Sequence, residues 1–161
     1  ALEAEPEDTN LRYTRAMLAE RLGNMALLES DLRYIIDKNP EHAEALNALG
    51  YSLANKTDRF DEAEPLIERA IALQPDNPAI IDSLGWLYFR QGKLNEAGPL
   101  LLDAWNRMND HEIAAHLGER HWTTGDKESA YDIWSQGLEL EPKSEVINET
   151  LERLGVDPSD L

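Results

Sequence analysis

Cysteine is absent from the 161 residues, which removes disulfides, thiolate metal sites and cysteine nucleophiles from consideration. Basic residues are scarce as well: 15 Lys and Arg stand against 32 Asp and Glu, a formal charge of −17. A surface of that sign repels phosphate backbones and anionic lipid, so neither nucleic acid nor direct membrane insertion is expected. No apolar run approaches the roughly 20 residues that span a bilayer. At 42% hydrophobic the chain is nonetheless too apolar for a disordered acidic tail, and its length suits one domain or one short repeat array. It opens Ala1-Leu2-Glu3 with no basic stretch or cleavage motif, so any targeting signal is expected outside it, in a longer chain.

What the chain does have is internal repetition. LNALGYSL (Leu46 to Leu53) aligns with IDSLGWLY (Ile81 to Tyr88) and AAHLGERH (Ala114 to His121), with Leu-Gly in register at offsets of 35 and then 33. A second block follows each glycine: RFDEAEPLIERAIALQP, KLNEAGPLLLDAWNRMN and DKESAYDIWSQGLELEP, ending at Pro75, Asn109 and Pro142. Upstream, RYTRAMLAERLGNMALLESDLRYIIDKNP falls into the same frame as a weaker copy, with Ala16 at the glycine position, Gly23 in the turn and Pro40 at the end. A period near 34 is that of a helix-pair repeat.

Within each block apolar residues recur at helical spacing, as in Leu46, Leu49, Gly50 and Leu53, or Ala63, Leu66, Ile67 and Ala70, and no stretch alternates like a strand. Gly92 and Gly125 read as turns, Asn77 as an N-cap before Pro78, and Asp126 as another cap. The predicted fold is all-α: a right-handed superhelical solenoid of antiparallel helix pairs, one array over 1–161. Its repeats are expected at about 9–42, 43–77, 78–110 and 111–143, with a capping helix at about 144–155 whose buried face carries Ile147, Thr150, Leu151 and Leu154. A mid-helix glycine costs about 1 kcal/mol against alanine, so Gly50, Gly85 and Gly118 imply a close helix crossing, with Ala63, Ala97 and Ala130 supplying small partners across it.

These residues resemble the tetratricopeptide repeat family. Its signature of Leu-Gly, an aromatic, a small residue opening the second helix, an alanine and a closing proline is met by Leu84, Gly85, Tyr88, Ala97, Leu101 and Ala104. Leu49, Gly50, Leu53, Ala63, Ile67, Ala70 and Pro75 form a second copy. The copy at Gly118 departs at His121 and Gly137, and the first copy departs further, with Ala16, Leu28 and Ile35. More narrowly, the run from LNALGYSL to KLNEA with EIAAHLGERHW is similar to the C-terminal repeats of long bacterial tetratricopeptide lipoproteins. That resemblance implies a periplasmic adaptor, held at the outer membrane through an N-terminal lipid anchor outside this chain, that in some members recruits a C-terminal processing protease of the PDZ type.

In such arrays the first helices of successive pairs line a concave groove. Rotating one residue from the core face gives the stripe expected there: Asn47 and Tyr51, then Asp82, Trp86, Phe89 and Arg90, then Glu119 and Trp122. Aromatics with few rotors suit anchors, and Asn47 and Asp82 suit a bound peptide's backbone, the alternative being that the aromatics fill the seam between first helices. Trp105 and Trp134 fall on second helices and are expected in the core. The basic clamp that holds an acidic C-terminus in some family members is missing, so a neutral or basic protein segment is the expected partner.

The one catalytic-looking motif is HEIAAH, from His111 to His116. Its two histidines are five apart, about 140° around a helix, so they share no face with each other, and zinc is not expected. His116 is expected instead near Glu112 or Glu119. Phosphate-binding glycine loops and a Gly-x-Ser-x-Gly elbow are also absent. The expectation is a binding scaffold with no cofactor and no enzymatic activity; the alternative is a structural spacer or self-association module within a longer array.

Overall fold

The computed structural model describes residues 8–161, and every regular element among them is helical. The chain divides into two compact units, one ending at Pro75 and one running from Asp76 to Leu161. In the first, α1 (Thr9–Arg21) packs on α2 (Met25–Lys38), and α3 (Ala43–Lys56) on α4 (Phe60–Leu73). In the second, α5 (Pro78–Arg90) packs on α6 (Leu94–Arg107), and α7 (His111–Thr123) on α8 (Lys127–Leu140). There α9 (Glu145–Leu154) follows, and a short 3-10 turn at Pro158–Asp160 closes the chain.

Local chemistry explains the boundaries. Asn77 caps α5, accepting a hydrogen bond from the Ala79 amide with Pro78 in the first turn, and Asp126 caps α8 by accepting from the Ser129 amide. The turns that reverse α5 into α6 and α7 into α8 need a left-handed residue, which Gly92 and Gly125 provide at φ 81° and 88°. The turn between α3 and α4 has none; there the Thr57 hydroxyl donates to the Leu53 carbonyl and accepts from the Arg59 amide.

The helix crossings account for the mid-helix glycines. A Cβ on Gly50 would stand 2.6 Å from Ile67 Cγ1 and 3.2 Å from the Ala63 carbonyl oxygen. On Gly85 it would stand 2.9 Å from Leu101, and on Gly118 it would fall on the Trp134 indole. Ala63, Ala97 and Ala130 are fully buried, as expected, but the side chain directly over each glycine comes from one turn further along: Ile67, Leu101 and Trp134. Ala16 occupies the same position in α1 with no exposure. Trp134 is fully buried and Trp105 nearly so, in keeping with the core role expected of both. In α9, Ile147, Thr150 and Leu151 are buried and Leu154 half-buried, with Ile147 lying over Gly137 of α8.

In the first unit, buried Asp31 on α2 receives Arg12 at 3.0 Å and both ends of the Arg15 guanidinium at 2.6 Å. Burial favours the neutral acid, but the two arginines outweigh it and hold the carboxyl below its usual range. At the surface between α2 and α4, Arg59 bonds Glu29 at 2.8 Å and also Glu62, while Arg33 bonds Glu29 at 2.7 Å. Arg59 above all, with Arg33, pushes the Glu29 carboxyl down to about 2.

Candidate functional site

The first-helix stripe differs between the two units. On α3, Asn47 is half-buried and its Oδ1 is enclosed with no hydrogen-bond partner among the described residues. Tyr51, one turn on, is half-buried. On α1 of the same unit the Tyr13 ring stacks against His42 at 5.9 Å, and the His42 Nδ1 accepts from the Ala45 amide at the start of α3.

The second unit turns most of its stripe inward. Trp86 is only 5% exposed, because its ring stacks on His116 of α7 at 4.2 Å and on Phe89 at 4.8 Å. The seam alternative therefore describes Trp86, and the open-groove placement does not. Asp82, predicted to face a peptide, is buried with both carboxylate oxygens at 2.9 and 3.0 Å from His116 Nδ1. The imidazole expected near Glu112 or Glu119 has thus bonded Asp82, one repeat earlier. Burial opposes its charged form, but the charge and hydrogen bond of Asp82, with Glu112 and Glu119 adding to the field, raise its pKa.

Glu119, also predicted on the open stripe, is buried and receives Arg153 of α9 through two bonds, 2.7 and 2.6 Å long. Trp122 is half-buried, 6.0 Å from both Tyr131 and Trp134 of α8, with the Lys127 ammonium over its ring at 4.6 Å. Phe89 is half-buried and Arg90 exposed. Of the eight predicted residues, then, Asp82, Trp86 and Glu119 are built into the interior, while Asn47, Tyr51, Phe89, Arg90 and Trp122 keep some surface.

The residues missed by sequence reasoning are His116 and Arg153, and a signal for both existed. Each lies 34 residues after its acidic partner, one full repeat, so complementary charges at the repeat spacing mark pairs between successive first helices. The remaining histidines go separate ways: His111 bonds the Ser144 hydroxyl at 2.7 Å, and His121 approaches Asp126 at 3.8 Å. Among the described residues no group of three His, Cys, Asp or Glu side chains is placed to hold a metal, and no helix is long and apolar enough to cross a membrane.

Antiparallel helix pairs recurring every 34 residues or so, with a small residue at each crossing, define a helical-repeat protein. Models of the tetratricopeptide repeat match residues 29–78 and 54–118, together more than half of the chain, and the chain belongs to that family. It is 55% identical over 118 residues to the TPR repeat-containing protein PA4667 of Pseudomonas aeruginosa; the match takes in 73% of this chain and 20% of that protein. The matched stretch thus spans a fifth of the relative's length.

Among solved structures, the thermophilic TPR protein TTC0263 of Thermus thermophilus superposes with a TM-score of 0.80 at 19% identity, over 96% of this chain and 86% of that one. The Thermobaculum terrenum O-GlcNAc transferase superposes with a TM-score of 0.73 at 19% identity, over 82% of this chain and 26% of that one. At such identities the likeness shows the fold. Tetratricopeptide domains bind other proteins or peptides and are generally non-catalytic scaffolds, although the transferase carries the same repeat fold within an enzyme.

Proposed function

We propose that this chain is a non-catalytic adaptor module that holds a segment of another protein along its first helices. The observation that carries the reading is the enclosed Asn47 Oδ1, which has no donor within the described residues, one turn from the half-buried ring of Tyr51. A buried acceptor without a partner costs about 1–3 kcal/mol, and turning the half-buried Asn47 amide outward to accept a bound segment's backbone N–H would recover that while the tyrosine ring packs on the segment. In the second unit, taken by itself, Phe89, Arg90 and Trp122 are the stripe residues that keep surface. A formal charge of −17 favours a neutral or basic segment over an acidic one.

The reading extends to a place in the cell. The module belongs to a longer bacterial chain anchored by lipid at the outer membrane, works in the periplasm, and brings a C-terminal processing protease of the PDZ type to its substrates. Its support is the resemblance of the repeat phrases to that group.

The test is affinity capture from an extract of the source cell, comparing the native protein with Asn47→Ala and Tyr51→Ala variants that circular dichroism shows to be equally helical. Specific loss of one captured protein from both variants supports the reading; retention of the same proteins overturns it. Fractionation of cells with an antibody to the chain tests the periplasmic part independently.

One observation favours the spacer reading as a second possibility. Leu18 on α1 is 53% exposed and Leu22, its C-cap, 75%, whereas Leu87, which occupies the position of Leu18 on α5, is fully buried. An apolar stripe of this kind suits contact with a neighbouring repeat. Sedimentation velocity across a concentration series separates the two readings, since self-association through α1 makes the protein heavier with concentration and Leu18→Glu reverses it.

A further inference from the structure

On the second-helix side of the second unit, α6 and α8 leave an open cavity of about 340 Å³ lined by Trp105, Asn109, Gln136, Glu139 and Leu140. This cavity shares no residue with the first-helix stripe. We propose that it is a docking pocket for a lysine or arginine side chain of a partner protein, flanked in the partner by an aliphatic residue.

The chemistry of the lining argues for that occupant. Trp105 presents the last 8% of its surface and Leu140 is 54% exposed, so the apolar part accepts a methylene stem. The amide groups are already oriented by bonds elsewhere: Asn109 Nδ2 donates to the Trp105 carbonyl at 2.9 Å, and Gln136 Nε2 donates to Asp132 at 3.1 Å. Their carbonyl oxygens and the Glu139 carboxylate take no hydrogen bond from the described residues. The polar part of the pocket is therefore rich in acceptors, with one carboxylate and no cation.

An apolar base with acceptors and negative charge around it matches an aliphatic stem ending in a cation, which also gains from the indole. An acidic side chain meets Glu139 and a chain of formal charge −17; a purely apolar one leaves the acceptors dry. Around the pocket, Leu102, one turn before Trp105, is 48% exposed and Met108 39%. They are the reason for the aliphatic neighbour in the partner.

The test is a titration of isotope-labelled protein, followed by nuclear magnetic resonance, with the peptides acetyl-Leu-Lys-Leu-amide and acetyl-Leu-Arg-Leu-amide. Analogues carrying norleucine or glutamate at the centre are controls. Ligands of this size bind at millimolar concentrations. The expected result is saturable movement of the Trp105 indole N–H and the Asn109 and Gln136 side-chain amides with the basic peptides only. Glu139→Gln weakens binding about tenfold, the loss of one charge-assisted bond.

Equal response to norleucine, no saturable response to either basic peptide, or unchanged affinity in Glu139→Gln overturns the proposal. Glu139 is exposed, so its variant is expected to fold, and matching backbone spectra verify it. The Asn47→Ala variant should bind these peptides as the native protein does. Failure of the first-helix reading and failure of this pocket are thereby told apart.

Discussion

The two units use the same repeat and tie it together in opposite places. In the first, charge links successive repeats through their second helices, at the surface, where Arg33 and Arg59 share Glu29 and Glu62. In the second, charge links successive first helices in the interior, as Asp82 with His116 and Glu119 with Arg153. The difference shows that the stripe predicted to face a partner and the seam holding repeats together draw on the same residues. Where ion pairs occupy that face, as at Asp82 and Glu119, it is committed to the fold. Where they lie elsewhere, as around Asn47 and Tyr51, the side chains stay half-buried and keep some surface.

The largest expected effect lies at the crossings. Gly118→Leu has to displace the fully buried indole of Trp134 and should destabilise the second unit by about 3 kcal/mol or more, read as a shift in the urea midpoint. Gly50→Leu meets Cγ1 of buried Ile67, a smaller side chain to displace than an indole, with the Ala63 carbonyl behind it, and a loss nearer about 2 kcal/mol is expected in the first unit. Equal losses would show that the two crossings are equally rigid and remove this part of the contrast.

Next comes Asp82→Ala, which strands His116 in a buried site and should cost about 2–3 kcal/mol. The pair also gives the second unit a pH signature. His116 has its pKa raised by folding, so the folded unit holds the proton more tightly than the unfolded chain. That stabilisation is complete below the ordinary imidazole value of 6.5 and is lost as the pH climbs through the raised one. Melting temperature followed from about pH 6 upward should fall in the native protein. Asp82→Asn should flatten that fall, and an unchanged slope would assign it to other groups.

A smaller loss, about 1–2 kcal/mol, is expected for Arg153→Ala, because Glu119 stays buried without its cation while Arg153 itself is largely exposed. Denaturant titration should show the loss as a lower midpoint. The smallest effect belongs to the surface network of the first unit. Although Arg59 and Arg33 lower the Glu29 pKa to about 2, solvent screens the pairs, and Glu29→Gln should cost less than about 1 kcal/mol and less still at high salt. A loss as large as that of Asp82→Ala would erase the distinction between buried and exposed ties.

Much of the fold was legible because its causes are local. Asn77, Pro78, Gly92, Gly125 and Asp126 act on the residues beside them, and the spacing of Leu46, Leu49 and Leu53 marks a helix face whatever lies across from it. The glycine crossings were legible too, since a costly residue repeated at one position asks for a packing reason. The residue over each glycine was not, because Ala63 and Ile67 share one face of α4 and only the depth of the crossing selects between them. The stripe was read from periodicity, which could not sort its members into open and buried.

By itself, then, the sequence determined the helix pairs, their turns and the small residues at their crossings, because each depends on contacts within about one repeat. The tertiary structure alone decided that Asp82 and Glu119 would be spent on His116 and Arg153 and Trp86 on a ring stack, leaving Asn47 with an acceptor unfilled by the described residues. Those partners stand 34 residues apart and meet only when successive first helices lie side by side. A buried charge then takes the nearest opposite charge in space, wherever that lies along the chain.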